Sequence, residues 1–179
     1  MATIFTIGHS THSLQTFLDM LTENSVKRLI DVRKLPGSRK FPHFNQEELT
    51  ASLKAEGIGY HWVEALTGRR KVSKTVPFEV NAFWNNRSFH NYADHALSEE
   101  FTAAVEKLNH TQIPSVLLCS EAVWWRCHRR IITDHLLARG VEVIHIMGPG
   151  QTSTATLTDG AVVNNSQVTY PPLAEKASE

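Results

Sequence analysis

Short apolar runs alternate with amphipathic stretches along most of the chain. The apolar runs at residues 3–7, 26–32, 60–63, 115–119 and 141–147 predict five β-strands. Apolar residues at helical spacing predict helices over residues 14–21, 46–56, 97–108 and 124–138. Strands that alternate with helices indicate βαβ units. We therefore expect an α/β fold, a single three-layer domain in which helices cover both faces of a mostly parallel sheet of about five strands.

Two segments interrupt this alternation. Residues 67–92 are polar and aromatic, and we interpret them as a long loop excursion over the functional site. Residues 148–172 are rich in Thr, Ser, Asn and Gly, and they predict a small C-terminal hairpin around Asn164-Asn165-Ser166. The domain is thus expected to span residues 1–172, followed by a disordered tail over residues 173–179.

The composition is typical of a soluble globular protein. Of the 179 residues, 41% are hydrophobic and 20% are charged, and no apolar run approaches the ~18 residues that a membrane span needs. The 18 basic residues balance 18 acidic ones, which argues against general electrostatic binding to nucleic acid or to an anionic membrane. Two cysteines without CxxC spacing, and an N-terminus without a signal-peptide pattern, predict a cytoplasmic protein that does not bind membranes.

Polar side chains follow the predicted strands. Ligands of open parallel sheets bind outside the carboxyl ends of the strands, so we expect these side chains to form one site. The expected catalytic residues are His9, Asp31, Cys119, Glu121 and His128. The residues expected to bind a substrate are Ser10, Arg33, Ser38, Arg69, Arg70, Tyr92 and Arg129.

Some of these residues also have a purely structural interpretation. Ser10 can belong to a tight turn, and either Ser10 or Ser13 can cap the first helix. Asp31 can pair with Arg33 or cap a neighbouring helix instead of acting in catalysis. The pair Arg69-Arg70 is either a solvated loop or part of an anion site, since guanidinium groups bind phosphate and carboxylate through two parallel hydrogen bonds.

The segment from residue 117 to residue 130 is the richest in reactive side chains. Cys119 lies where the fourth strand gives way to a helix, and a helix N-terminus lowers a thiol pKa and favours a nucleophilic thiolate. Alternatively, Cys119 is a small buried residue that closes the strand. Cys127 is expected in the core, because it precedes Ile131 by four residues on the predicted helix. Glu121 is interpreted as an acid or base, or as the partner that orients His128.

Three more specific motifs do not fit. The separation of Cys119 from Arg126 does not match a phosphatase loop. The candidate zinc ligands His9, His12, Cys119, Cys127 and His128 lack a typical short spacing, so no metal site is assigned. A glycine-rich dinucleotide loop and a P-loop are both absent, and the cofactor remains unknown.

Five groups of residues occur in a characteristic order between Ile4 and Tyr170. They are Thr6–Ser10 (TIGHS), Asp31–Arg33 with Pro36 and Ser38, Leu66–Arg70 (LTGRR), Ser88-Phe89 with Tyr92-Ala93-Asp94, and Cys119-Ser120-Glu121 with Cys127-His128-Arg129. Together they resemble the uncharacterised bacterial and archaeal family catalogued as domain of unknown function 488. The resemblance implies a cytosolic α/β domain with a polar site at these motifs, and it supplies no substrate.

Three functions are compatible with these observations. The first is an enzyme of hydrolase or transferase type that binds a phosphate-bearing small molecule, such as a nucleotide or nucleoside derivative. The second is a nucleic-acid-binding module built on basic loops and aromatic residues, which the neutral charge disfavours. The third is thiol-based redox or sulfur chemistry at Cys119. In the first, Arg33, Arg69 and Arg129 would hold the anion, and His9, Cys119 and Glu121 would supply the chemistry.

Overall fold

The computed structural model describes residues 3–37 and 39–173. Six strands form its main sheet: β1 Ile4–Gly8, β2 Arg28–Asp31, β3 Gly59–Trp62, β4 Ser115–Cys119, β5 Val143–Gly148 and β6 Gln151–Thr154. Their order across the sheet is β3-β2-β4-β1-β5-β6, and all neighbours are parallel except β6, which runs antiparallel to β5. The predicted α/β fold with a mostly parallel sheet is confirmed.

Five α-helices connect the strands. They are α1 Leu14–Glu23, α2 Gln46–Ala55, α3 Arg87–His95, α4 Glu99–Asn109 and α5 Arg129–Leu137. Ser13, Asn86 and Ser98 begin α1, α3 and α4, where each side-chain oxygen accepts a hydrogen bond from the backbone N–H three residues later. Single turns of 3-10 helix occupy Pro42–Phe44, Glu64–Leu66, Phe78–Asn81 and Trp124–Arg126.

Each face of the sheet is covered by its own apolar core. Side chains of β4 point alternately to the two sides, as the period of a strand requires. Leu118 packs in the core that contains Phe17 of α1 and Leu49 of α2. Leu117 packs in the core that contains Phe101 of α4, together with residues of α3 and α5. Helices therefore lie on both faces, and the three-layer arrangement is confirmed.

This arrangement creates a switch point between two neighbouring strands. The connection that leaves β1 carries α1 over one face, whereas the connection that leaves β4 carries α5 over the other. Because β1 and β4 are adjacent, the chain leaves their carboxyl ends toward opposite faces of the sheet. A crevice lies between the two connections. The register pairs Gly8 with Cys119, so both strands end at the same level.

Three elements differ from the prediction. The strand β6 consists of four exposed polar residues and has no apolar pattern to reveal it. The stretch predicted as a loop over 67–92 contains the start of α3, a helix that buries the polar residues His90, Asn91 and Asp94 beside Tyr92 and Ala93. The helix predicted over 124–138 is interrupted, because Cys127 has an extended backbone with φ −128° and ψ 150°.

The C-terminal segment forms the predicted hairpin. Its strands are β7 Val162–Asn164 and β8 Gln167–Thr169, and Asn165 and Ser166 between them have φ values of 53° and 68°. Positive φ at both central residues is the geometry of a two-residue hairpin turn. The predicted disordered tail lies, apart from Leu173, outside the described residues. In the described part of the chain, no helix has the length and apolar character needed to cross a membrane.

Candidate functional site

A cleft of about 560 Å³ opens at the carboxyl ends of β1, β2 and β4. It lies at the switch point of the sheet, where a ligand site is expected in this class of fold. Its walls come from the residues that follow those strands, from the loop before α3 and from the start of α5. The side chains that matter for chemistry in its lining are His9, Arg33, Lys34, Arg69, Glu121, Arg126, Cys119, Cys127 and His128.

The floor of the cleft depends on a close backbone contact. The N–H groups of His9 and Ser10 donate hydrogen bonds of 3.0 Å to the carbonyls of Cys119 and Ser120. A Cβ atom on Gly8 would lie only 1.8 Å from the carbonyl oxygen of Glu121. Only glycine therefore lets the loop after β4 fold across the end of β1, which explains the glycine of the TIGHS motif.

The two cysteines meet inside this cleft. Cys119 ends β4, and Cys127 occupies the extended position just before α5. Their sulfur atoms are 2.9 Å apart, and both thiols are free. Both side chains are almost buried, yet both belong to the cleft wall. The structure thus places a pair of thiols where a ligand would bind.

The thiols of Cys119 and Cys127 have different surroundings, which shift their pKa values in opposite directions. Burial raises the pKa of Cys127, but the hydrogen bond with Cys119, the charge of Arg129 and a backbone hydrogen bond from Arg129 outweigh it and lower the pKa to about 7. Burial and the proximity of Cys127 raise the pKa of Cys119 well above its ordinary value. Of the two thiols, Cys127 is therefore the one whose thiolate form is favoured.

His128 lies beside Cys127 with a defined tautomer. Its Nε2 is 3.0 Å from the carbonyl oxygen of Val32, which accepts hydrogen bonds only, so Nε2 carries the proton. Burial lowers the pKa of His128, which keeps the ring neutral near pH 7. The unprotonated Nδ1 then lies 3.6 Å from the sulfur of Cys127. His128 is placed to accept a proton from that thiol.

Two neighbours hold the ring of His128. The ring of Tyr92 packs against it, with centroids 4.8 Å apart, and the Tyr92 hydroxyl donates a hydrogen bond of 2.7 Å to the carbonyl of Leu66. A Cβ atom on Gly68 would lie 2.9 Å from Nδ1 of His128. Tyr92 and Gly68 thus act as positioning residues, with Tyr92 forming part of the cleft wall.

The cleft is rich in positive charge. Arg33, Lys34, Arg69 and Arg126 line it, and Glu121 is the one acidic side chain among its described lining residues. Arg69 sits in a tight turn with a φ of 58° and is exposed to solvent. Because Asp31 neutralises Arg33, three cations and one carboxylate leave the cleft with a net positive charge, which favours an anionic ligand.

Asp31 holds Arg33, which follows β2, and Asp31 does not line the cleft. Its buried carboxylate accepts hydrogen bonds of 2.9 and 2.8 Å from Nε and Nη2 of Arg33, and one of 2.5 Å from the hydroxyl of Tyr60. Nη1 of Arg33 donates to the carbonyl of Phe44. Asp31 is absent from the cleft wall, so the structure supports the ion-pair interpretation over the catalytic one.

Arg129 and Arg70 lie elsewhere, contrary to expectation. The guanidinium of Arg129 is fully buried and donates to Thr6 Oγ1 at 3.0 Å and to the carbonyls of Glu121 and Ala122 at 2.6 and 3.2 Å. It braces the loop after β4 from behind. Arg70 donates to Glu64 and Thr67 and borders a separate depression. Neither guanidinium lines the cleft, since each donates hydrogen bonds to backbone carbonyls elsewhere.

The residues that follow β1 are divided between two depressions. His9 lines the cleft, stacks on Phe44 with centroids 4.3 Å apart, and has a pKa that burial lowers to about 4. Ser10 has a φ of 48° and lines a shallower depression next to the cleft. Ser13, not Ser10, caps α1. Ser38 lies outside the described residues.

The alternative of a zinc site gains no support from the geometry. In residues 3–37 and 39–173, no group of three or more His, Cys, Asp or Glu side chains is arranged to hold a metal ion.

Comparison with known proteins identifies the family. The family described as "Domain of unknown function DUF488" matches residues 13–136 of the chain, which is more than half of its length. The chain belongs to the DUF488 family. The DUF488 match includes Asp31, Gly68 and the segment from Cys119 to Arg129, whereas His9 precedes it. No curated protein and no solved structure matches the chain.

The site of this DUF488 chain includes three residues that were not predicted from the sequence: Cys127, Lys34 and Arg126. The prediction that Cys127 lies in the core is confirmed, but its spacing to Ile131 did not reveal that it also borders the cleft. The available signal was its position directly before His128, since adjacent thiol and imidazole groups often cooperate in nucleophilic catalysis. Lys34 and Arg126 carried no signal beyond their charge.

Proposed function

We propose that the cleft binds a phosphate-bearing small molecule and that the thiolate of Cys127 acts on it. The chain would then be an enzyme of hydrolase or transferase type. One observation carries the proposal: the thiol with the lowered pKa lies in the same cleft as Arg33, Lys34, Arg69 and Arg126.

The charges support a phosphate group as the part of the ligand that is held. A cationic, partly enclosed cleft concentrates anions, and its low-dielectric walls strengthen each contact. Arg69 and Arg126 are exposed and are held by fewer internal contacts than Arg33, so their guanidinium groups can reach a ligand. Arginine matches the geometry of phosphate better than lysine does.

The thiol and the imidazole together support nucleophilic chemistry. A pKa of about 7 leaves roughly half of Cys127 ionised at neutral pH. In the protonated fraction, Nδ1 of His128 accepts the thiol proton while sulfur forms a bond to phosphorus. The bond from phosphorus to the leaving oxygen breaks, and that oxygen takes the proton back from His128. Water or a second acceptor then releases the phosphoryl group from sulfur.

One wall of the cleft supports a nucleoside as the rest of the molecule. Phe89 is half-buried and lines the cleft together with Asn86 and Ser88. An aromatic face next to amide and hydroxyl groups suits a base and a ribose. A partly enclosed cleft of about 560 Å³ favours such a ligand over the alternative of a nucleic-acid strand, which the formal charge of zero also disfavours. Two free thiols in the site are consistent with our proposal of a cytoplasmic location.

Thermal unfolding with a panel of ligands tests this function. The panel contains inorganic phosphate, nucleoside mono-, di- and triphosphates, and sugar phosphates. A ligand present at about 100 times its Kd stabilises the folded state by about 2.7 kcal/mol, which raises Tm by several degrees. We expect such a shift for at least one phosphorylated compound.

Two variants locate the binding site in the same assay. Arg126→Gln removes a cation from the cleft wall and should reduce the shift. Arg87→Gln is the matched control, because Arg87 is exposed and does not line the cleft. The proposal is overturned if no phosphorylated compound shifts the Tm of the wild-type protein.

A further inference from the structure

The thiol pair also supports a reaction that needs no phosphate ligand. We propose that Cys119 and Cys127 form a reversible dithiol–disulfide couple that responds to peroxide, in which Cys127 reacts first and Cys119 resolves the product. The couple goes beyond the proposed function, and neither depends on the other.

The geometry brings the two sulfur atoms close to bonding distance. They are 2.9 Å apart, and a disulfide bond is about 2.05 Å long, so closure requires a relative movement of less than about 1 Å. The chain contains two cysteines in all, and each is therefore the only intramolecular partner of the other.

The backbone between the two cysteines can supply that movement. Cys119 is fixed at the end of a central strand, but Cys127 lies in the break between a 3-10 turn and α5. Ser120, Glu121, Ala122, Trp125 and Arg126 between them are exposed. A small shift of this connection closes the bond without disturbing the sheet.

A small oxidant can reach the pair. Both thiols line the open cleft, although neither exposes more than a few per cent of its surface. Hydrogen peroxide is close in size to water and can enter this cleft. A low-pKa thiolate next to a second thiol is the arrangement found in redox-sensing cysteines.

The two steps balance as follows. The Cys127 thiolate attacks peroxide; a sulfur–oxygen bond forms, the oxygen–oxygen bond breaks, hydroxide leaves, and sulfur is oxidised to a sulfenic acid. Cys119 sulfur then attacks the sulfur of Cys127. The sulfur–sulfur bond forms, the sulfur–oxygen bond breaks, and hydroxide leaves with the thiol proton of Cys119 as water. An external dithiol reverses the reaction by thiol–disulfide exchange.

The asymmetry of the pair assigns the order of these steps. The backbone N–H of Arg129 approaches the Cys127 sulfur at 3.5 Å, and Nδ1 of His128 lies 3.6 Å from it. A donor to the thiolate and an acceptor for its proton thus both face Cys127, whereas burial raises the pKa of Cys119. The two sulfur atoms share a hydrogen bond in the reduced protein, and once Cys127 is oxidised Cys119 is the nearest nucleophile. Without Cys119, the sulfenic acid of Cys127 would be open to further oxidation to the sulfinic acid, which a dithiol does not reverse.

Titration of the reduced full-length chain with hydrogen peroxide tests the proposal. Free thiols are counted under denaturing conditions, and intact mass and a non-reducing gel are recorded. We expect the wild-type protein to lose both thiols, to lose the mass of two hydrogens, to stay monomeric on the gel, and to regain both thiols with dithiothreitol.

Two single variants separate the roles of the cysteines. Cys119→Ser should gain one and then two oxygen atoms at Cys127, and the second product should resist dithiothreitol. Cys127→Ser should consume its remaining thiol at least about tenfold more slowly, because Cys119 is protonated. Circular dichroism establishes that each variant is folded, and Cys119→Ala replaces Cys119→Ser if the latter does not fold.

Three results would overturn the couple. They are sulfinic acid at Cys127 as the main wild-type product, disulfide-linked dimers in place of the internal bond, and equal peroxide rates for the two single variants. None of these readouts involves a phosphate ligand, so failure of the couple and failure of the proposed function are distinguishable.

Discussion

The carboxyl edge of the sheet has an open half and a closed half, and both contain a buried arginine and a buried histidine. In the open half, next to β2 and β4, Arg33 and His128 border the cleft. In the closed half, next to β5, Arg129 is fully buried and His145 is covered by Trp124, whose ring stacks on it at 4.4 Å. Polar residues at strand ends therefore do not make a site by themselves.

What distinguishes the halves is how their polar groups are satisfied. In the closed half, Thr6 Oγ1 lies 2.6 Å from Nδ1 of His145 and accepts a hydrogen bond from Arg129, and backbone carbonyls accept the other hydrogen bonds of Arg129. In the open half, a single carbonyl holds one nitrogen of His128 and leaves the other facing Cys127. Arg129 in the closed half thus stabilises the loop after β4, and that loop forms part of the cleft wall in the open half.

The largest effect should come from the closed half. Arg129→Met removes a fully buried guanidinium that donates to Thr6 and to two backbone carbonyls, so we expect the free energy of unfolding to fall by about 3 kcal/mol. Urea denaturation measures the loss. Arg69→Gln, at an exposed position of the open half, is the control and should change stability by less than about 0.5 kcal/mol. If the two variants are equally stable, the claim that Arg129 stabilises the closed half is contradicted.

Sequence patterns do not predict most of the difference between the open half and the closed half. The strand at Ser115–Cys119 is predicted correctly because all five residues are buried and the run is apolar. The chain does not show, however, whether a polar residue after a strand faces a cavity or a neighbouring loop. Arg129 and His128 are consecutive, yet one braces the loop and the other faces the cleft.

Sequence patterns also do not reveal that Cys127 borders the cleft. Cys127 lies in the core, as expected, and the extended backbone at this residue also places it in the cleft wall. The break depends on tertiary contacts, since the backbone N–H of Arg129 approaches the Cys127 sulfur at 3.5 Å while the Arg129 side chain anchors the loop. Helical periodicity carries no information about such contacts.

An intermediate effect should separate two neighbouring arginines. Arg69 lines the cleft, whereas the guanidinium of Arg70 donates to backbone carbonyls of residues 64 and 67. We expect Arg69→Gln to weaken binding of a phosphate ligand about tenfold, which is about 1.4 kcal/mol, by isothermal titration calorimetry. Arg70→Gln should lower stability by about 1 kcal/mol and leave the affinity unchanged. The reverse pattern would place the anion outside the cleft.

The smallest effect should come from the contact behind His128. Gly68→Ala brings a methyl group within 2.9 Å of Nδ1, so the ring must shift, and we expect a loss of about 1 kcal/mol in chemical denaturation. Gly59→Ala is a suitable control, because the nearest atom to a Cβ there is 3.8 Å away. If both variants have the same stability, Gly68 does not position His128.

The pH dependence of alkylation tests the central claim, that Cys127 carries the thiolate of the cleft. The reduced chain is treated with iodoacetamide at pH values from 5 to 10, and mass spectrometry of peptides gives the rate at each cysteine. Only the thiolate reacts, so the rate at Cys127 should rise about tenfold per pH unit and level off above its pKa of about 7, while Cys119 stays largely unmodified. A midpoint at or above the ordinary thiol value, or faster modification of Cys119, would contradict the account.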